Sequence, residues 1–380
     1  MLCKIDDTER MARLRLIRSA GIGPLTYRQL LARAGSAVAA LDLVPAGAPS
    51  AGRRVVRLAN EDDAEREYAA GRDAGFVLLT LGEPDYPESL AAIADPPPVL
   101  WLHGASRLFY ERSVAIVGAR NASVAGRRMA ASLAEELGDE GVVITSGLAR
   151  GIDGAAHSAA LNTGTIAVLA GGVDWIYPPE HEALYRSIAE RGLVVSEQPI
   201  GMAPRAKHFP KRNRIVSGLS CGVVVVEAAE RSGTLITARL AAEQGRDVYA
   251  VPGSPLDPRS AGTNKLLQAG AHIVTSADDV LRELPSPSQN FLAERLQRFD
   301  PSTINDPLDD PDPVVFDEQG SDGLRDRLHD LLGITPIHRD ELTQAAEAPA
   351  SHVAAALTEL VLTGDAHEES GGTYVRSGGR

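Results

Sequence analysis

The chain has 380 residues, 44% hydrophobic and 23% charged, with a formal net charge of -13; that length exceeds one compact core and implies two or three globular domains. Only Cys3 and Cys221 are present, far apart and without ligand spacing around either. That excludes a disulfide framework and a structural zinc site and fits a reducing compartment.

The acidity is uneven. Residues 281–323 carry 3 basic and 10 acidic side chains and residues 324–380 carry 5 and 9, whereas residues 110–280 carry 17 and 18. A local basic patch in that balanced centre remains able to bind phosphates. No window approaches about 18 uninterrupted apolar residues, and the opening "MLCKIDDTER" is charged where a signal peptide needs an apolar segment. A cytoplasmic protein with no membrane insertion is expected.

In chain order, "ARLRLIRSAGIGPLTYRQLLARAGSAVAAL" reads as two short helices around Gly21-Ile22-Gly23. This pattern is similar to helix-hairpin-helix or sterile-alpha-motif modules, or is an ordinary helical turn. Residues 1–75 are assigned to this module. The "DPPP" from Asp95 to Pro98 then forces an extended connector. The next domain is assigned to residues 76–284, and between about Val114 and Thr275 in it short apolar runs alternate with helical stretches: "SVAIVGAR", "GVVITSG", "TIAVLAGG", "LVVSEQP", "CGVVVVEA", "DVYAVPG" and "AHIVTS". They lack period-2 alternation and end in Gly, Pro or Ser, which predicts strands buried on both faces of a mostly parallel, doubly wound α/β sheet. "GRRMAASLAEELGDEG" and "TLITARLAAEQG" are the clearest crossover helices. Residues 285–323, rich in Pro, Ser and Asp, read as a disordered or loosely tethered acidic linker. Helical patterns at 324–333, 338–346 and 351–363, followed by "GDAHEESGGTYVR", predict a winged helix over residues 324–380. Its third helix, "SHVAAALTELVL", has no Lys or Arg, so a protein-interaction or structural role is expected before a DNA-binding one.

Four stretches carry candidate chemistry. Gly118-Ala119-Arg120 lies where the first parallel strand meets a helix, a position suited to anions. "GARNASVAG" lacks the G-x-G-x-x-G dinucleotide fingerprint, which disfavours an NAD-dependent oxidoreductase. "SGLARGIDGAAH" places Gly147 in a second such turn; Asp153 is a candidate helix cap, and His157 a packed or surface residue. "FPKRNRIVSGL" at 209–219 reads as a loop with three cations, in which Phe209 either stacks on a base or anchors the loop. Ser232, Gly233 and Thr234 form a third potential anion cradle. Trp175 and Tyr177 are read as shaping a rigid turn. All of these turns fall on the carboxyl edge of such a sheet, where a row of phosphate sites suits a nucleic-acid strand.

With these residues in view, the sequence resembles the DprA/Smf family. The resemblance rests on "YPESLAAIADPPPVLWLHG", "VAIVGARNAS", "SGLARGIDGAAH", "AVLAGGVDWIYPPEH", "SEQPIG", "FPKRNRIVSGLSCGVVVVEAAERSGTLITARLAAEQGRDVYAVPG" and "GTNKLLQAGA". It implies an extended Rossmann-like domain that binds single-stranded DNA without catalysis, cofactor or metal. It also implies a homodimer through that domain, and RecA as a partner during natural transformation and recombination. Under it, the phosphate-binding motif falls on Gly118, Ala119 and Arg120, and the basic loop on Lys207, Phe209, Lys211, Arg212, Asn213 and Arg214. The dimer and RecA surfaces have no motif. The alternative is a nucleotide phosphoribohydrolase of the lysine-decarboxylase-like group, whose P-G-G-x-G-T-x-x-E signature is only partly matched by "ERSGTLITA".

Overall fold

The computed structural model describes residues 5–44, 56–284, 324–333, 335–346, 348, 350–369 and 372–377. The linker expected over 285–323 lies outside the described residues.

The N-terminal module comprises α1 (Asp7–Arg18), α2 (Pro24–Ala34) and α3 (Ala37–Leu43). Asp6 caps α1 by accepting from the Glu9 amide at 2.8 Å, and Ser36 caps α3 through the Ala39 amide at 3.1 Å. The turn between α1 and α2 needs Gly21, whose φ is 86°. Leu16, Ile22, Tyr27, Ala37 and Ala40 close a small core of their own. A fourth helix, α4 (Glu61–Asp73), leads into the sheet. Arg10 pairs with Glu83 at 2.5 Å, and Arg18 reaches both Glu67 at 2.8 Å and the Glu197 carbonyl at 3.0 Å, which ties the module to the next domain.

That domain follows as β1 (Val77–Thr80), α5 (Glu88–Ala91), β2 (Val99–Gly104), β3 (Ser113–Val117), α6 (Val124–Asp139), β4 (Val143–Ser146), α7 (Ile152–Ala159), β5 (Thr165–Val168), α8 (Glu182–Arg191), β6 (Leu193–Ser196), α9 (His208–Leu219), β7 (Gly222–Val225), α10 (Gly233–Glu243), β8 (Asp247–Ala250), α11 (Ala261–Gln268), β9 (His272–Ile273) and α12 (Ala277–Leu281). Nine strands form one sheet in the order β1-β2-β6-β5-β4-β3-β7-β8-β9. From β6 to β9 all pairings are parallel, whereas β1 and β2 extend the β6 edge antiparallel. All five residues of β3 are buried, as are all four of β4, β5, β6 and β7, because helices cover both faces. One face packs Val117, Val225 and Leu235 with Ile215 and Leu219; the other packs Ile116, Ile144 and Val224 with Leu133 and Leu137.

The chain leaves β3 for β4 on one side while β7 returns on the other, so the strand order reverses between β3 and β7. In open α/β sheets, the crevice outside the carboxyl ends at such a reversal receives the ligand.

The third domain contains α13 (Leu324–Leu331), β10 (Ile337–His338), α14 (Arg339–Ala345), α15 (Ala350–Leu362), β11 (Ala366–Glu369) and β12 (Thr373–Arg376). Its three strands pair antiparallel in the order β10-β12-β11, with β11 and β12 forming the wing. It is docked on the α/β domain. Val124 at the start of α6 packs into its core, Arg128 pairs with Glu341, and Arg259 donates to the carbonyls of Asp330 at 2.8 Å and Leu332 at 2.9 Å.

Candidate nucleic-acid interface

The residues at 118–120, 147 and 232–234 do meet along the carboxyl edge, but as turns locked onto one another. Gly118 has no room for a side chain, since a Cβ there would sit 2.5 Å from Ile152. Thr234 donates its hydroxyl to the Gly118 carbonyl at 3.1 Å, joining the α10 start to the β3 turn, and Ser232 Oγ accepts from the Thr234 amide at 3.2 Å. Gly151 adopts φ 73° directly against the carbonyls of Ala119 and Arg120, so the turns after β3 and β4 are in contact.

The expected anion cradles are largely filled from within. At the start of α6, Ser123 caps the Gly126 amide at 2.9 Å, while the Glu227 carboxylate accepts from the Ser123 amide at 2.9 Å and its hydroxyl at 2.5 Å. A carboxylate thus already occupies the positive end of that helix. At the start of α7, the buried Asp153 is not an N-cap; it accepts from the amides of Gly147 at 3.1 Å and Ala149 at 3.3 Å, folding the turn back on itself. What remains at the reversal point is Arg120, together with the Arg120 and Asn121 amides, which donate to nothing among the described residues.

The turn after β4 is held under strain. Leu148, fully buried, has φ 58°, which is costly for a residue with a Cβ. His157 Nε2 accepts from the Leu148 amide at 3.3 Å and His181 Nδ1 sits 3.0 Å from the Leu148 carbonyl, so two imidazoles fix that peptide. Burial, reinforced by His181 and Arg212, pushes His157 down to about 3. A neutral ring accepting at Nε2 carries its proton on Nδ1, which donates to Thr165 Oγ1 at 2.7 Å; Thr165 in turn donates to the Ile144 carbonyl at 2.7 Å. His157 is therefore a packed, satisfied histidine.

The run "FPKRNRIVSGL" is not a loop. Residues His208–Leu219 form α9, the crossover helix from β6 to β7, and Pro210 is tolerated because it falls in the first turn, where amides have no intrahelical partner. The 3.6-residue period separates its cations. Lys207 and Lys211, one turn apart, are exposed and have no carboxylate partner among the described residues. Arg212 and Arg214 are each 7% exposed. Arg214, expected in a loop, lies in this helix instead and is clamped by Glu197 at 2.5 Å and Asp95 at 3.2 Å, which fastens α9 beside the end of β6. Arg212 lies over the β4 turn, where a Cβ on Gly147 would collide with its guanidinium, and Asp153 is its countercharge. Burial pulls the Arg212 guanidinium down to about 10, and burial likewise raises the Asp153 carboxyl. Asn213 is half-buried one turn beyond Phe209.

Phe209 is only 9% exposed. Its ring meets Tyr177 edge-on at 5.8 Å and 66°, and the Arg120 guanidinium lies 4.9 Å from its centroid. Phe209 is thus packed at the start of α9 between Tyr177 and Arg120, and its ring seats the Arg120 guanidinium. Around the start of α9, His208 is pushed below its ordinary value by burial and by Lys207, Lys211 and Arg205, so these cations act on one small region. Arg205, also exposed, takes no carboxylate among the described residues.

The edge is thus a set of interlocked turns that presents, beside the strand reversal, cations with no carboxylate partner among the described residues, on the frame of a Rossmann-like α/β protein. Family models match in sequence order: "DprA-like N-terminal HHH domain" over residues 7–70, "DNA recombination-mediator protein A" over 77–285 and "DprA winged helix domain" over 311–372. The chain belongs to the DNA recombination-mediator protein A family. It is 45% identical to the DNA processing protein DprA of Bacillus subtilis over 229 residues, covering 60% of this chain and 77% of the relative. It is 40% identical to protein Smf of Escherichia coli over 302 residues, 79% of this chain and 77% of that one. Among solved structures, DNA processing protein A from Streptococcus pneumoniae superposes with a TM-score of 0.61 at 36% identity, covering 75% of this chain and all of that one. DNA processing protein A from Helicobacter pylori, whose structure addresses its unique single-stranded DNA binding mode, gives 0.51 at 31% identity, over 55% of this chain and 95% of that one. No helix among the described residues is long and apolar enough to cross a membrane.

Proposed function

We propose that the protein binds single-stranded DNA, the ligand of the Helicobacter pylori relative, and that it does so along the carboxyl edge of its large sheet without catalysing a reaction on it. The observation that carries this reading is that Arg120, Lys207 and Lys211, exposed beside the strand reversal, take no carboxylate partner among the described residues. Arg120, held over Phe209, neutralises one phosphate, and Lys207 and Lys211 neutralise neighbouring ones. Free amides at Arg120 and Asn121 and the exposed backbone at Gly233 add donors. Gly118, Ala119, Gly147, Ser232 and Thr234 shape the turns, and Arg212 and Arg214 hold α9 in place. Contacts of this kind are sequence-tolerant and lose affinity steeply with salt.

On this reading the protein protects DNA entering a cytoplasmic recombination pathway and hands it to RecA during natural transformation or homologous recombination, acting as a homodimer through the Rossmann-like domain. A salt titration of oligothymidylate binding tests the DNA face. The parent should prefer single over double strands, and affinity in the Arg120→Ala, Lys211→Ala double variant should collapse; unchanged binding in that variant would rule the face out. Pull-down of RecA with the full chain, and its mass in solution, test the partners.

A further inference from the structure

The protein has two tryptophans, and they are used in opposite ways. Trp101 is 1% exposed inside β2, its indole donating to Glu67 at 2.8 Å. Trp175 is 43% exposed, on the loop that leaves the carboxyl end of β5.

That loop holds the indole out on a fixed frame. The Trp175 amide donates to the Gly172 carbonyl at 2.9 Å, and the Gly172 amide donates to the Met202 carbonyl at 2.8 Å. Asp174 accepts from the Gly201 amide at 2.8 Å and 3.0 Å. A Cβ on Gly171 or Gly172 would press into the Met202 or Pro199 carbonyl, so the two loops are zipped together and lead directly into Arg205, Lys207 and α9. Two residues after Trp175, Tyr177 packs on Phe209, which carries Arg120. Trp175 therefore stands within roughly 7 Å of chain from the aromatic stack that seats the proposed phosphate ligand.

Phe209 itself is in no position to stack on a base: it is 9% exposed, and Arg120 covers its ring. We infer that Trp175 is the base-stacking platform of this interface, receiving an unpaired base of a DNA strand whose phosphates run past Arg120 and the start of α9. This rests on the single-stranded DNA reading. Every base offers a π-face, so the subsite is sequence-tolerant, while a duplex, with its bases stacked internally, is excluded from it.

Trp101 is buried, so Trp175 is the tryptophan whose emission a bound base would reach. Fluorescein-labelled oligothymidylate anisotropy gives the affinity, and tryptophan emission with unlabelled oligothymidylate reports the stacked base, both on the full chain. The parent should show quenching that saturates with the anisotropy. Trp175→Ala should lose the quenching and weaken binding about 5- to 150-fold with an unchanged salt slope, as expected when a stack is removed and every phosphate stays neutralised. Trp175→Phe should keep most of the affinity. Binding without quenching, together with parent affinity in Trp175→Ala, overturns this inference and leaves the DNA reading standing. No anisotropy change in the parent overturns both.

Discussion

Helix α1 and the start of α9 are both rich in cations, and the two regions use them differently. In α1, Arg10 meets Glu83, Arg13 meets Glu9, Arg15 meets Glu61 and Arg18 meets Glu67. Those four charges are spent holding the N-terminal module together and to the sheet. At the start of α9, Lys207 and Lys211 have no such partner among the described residues, and neither does Arg120 across the edge. The contrast recurs inside α9, where Arg214 follows the α1 pattern with Glu197 and Asp95. Availability to a phosphate is decided by where the carboxylates fall, so the formal net charge of -13 coexists with a positive edge.

The largest test exchanges the two behaviours. Removing Glu197 leaves the buried Arg214 with Asp95 alone, and breaking a buried pair costs about 3 kcal/mol. Glu197→Ala should therefore lower the thermal midpoint clearly, while the protein that remains folded at low temperature binds oligothymidylate as the parent does. A normal melt with weakened binding would return Arg214 to the DNA-facing set.

Arg120→Ala should do the opposite. The side chain is exposed and its packing on Phe209 is worth under about 1 kcal/mol of stability. Single-strand affinity should fall about tenfold or more at moderate salt, with the log-log salt slope reduced by about 0.7 for each phosphate no longer neutralised. A large loss of stability with an unchanged slope would make Arg120 a structural residue like those of α1.

The turn that Arg212 covers can be broken by acid instead of mutation. His157 is neutral in the folded protein, with its pKa lowered to about 3, whereas in the unfolded chain it titrates near 6.5. Below about 6.5 the unfolded state binds the extra proton, so stability falls on acidification by up to roughly 1.4 kcal/mol per pH unit. Asp153, shifted upward by burial, opposes this because the folded state takes up its proton first. Urea melts at pH 7 and pH 5 should show the net loss, and His157→Gln should flatten it. An equal pH dependence in that variant would place the acid sensitivity elsewhere.

The parallel sheet is legible in the sequence because uniformly apolar runs such as Ser113–Val117 have few other uses. The antiparallel strands β1 and β2 are not: "VLWLHG" pairs with β1 and β6, partners about 20 and 90 residues away along the chain. Four polar residues in a row at the start of α9 suggest a loop, yet Ile215, Val216 and Leu219 complete an inward face with Arg212 at helical spacing. At the site, Arg120 and the lysines are visible as charge. Glu227 and Glu197 are not visible as their counterweights: Glu227 reaches Ser123 across 104 residues, and only the fold brings them together.

The smallest expected effect sharpens the comparison most. Lys207 and Lys211 are one helical turn apart and both exposed, so they can follow one strand or straddle it. If each meets a separate phosphate, Lys207→Ala and Lys211→Ala each reduce the salt slope by about 0.7, weaken binding a few-fold and add in the double variant. If only one faces the strand, the other behaves like a solvated surface charge and changes stability and binding within about 0.5 kcal/mol. Lys211→Arg should then retain the slope, since a flexible cation at that position needs only its charge to neutralise a phosphate. Two silent single variants and a silent double would mean that an unpaired cation at the start of α9 is no better placed for DNA than a paired one in α1.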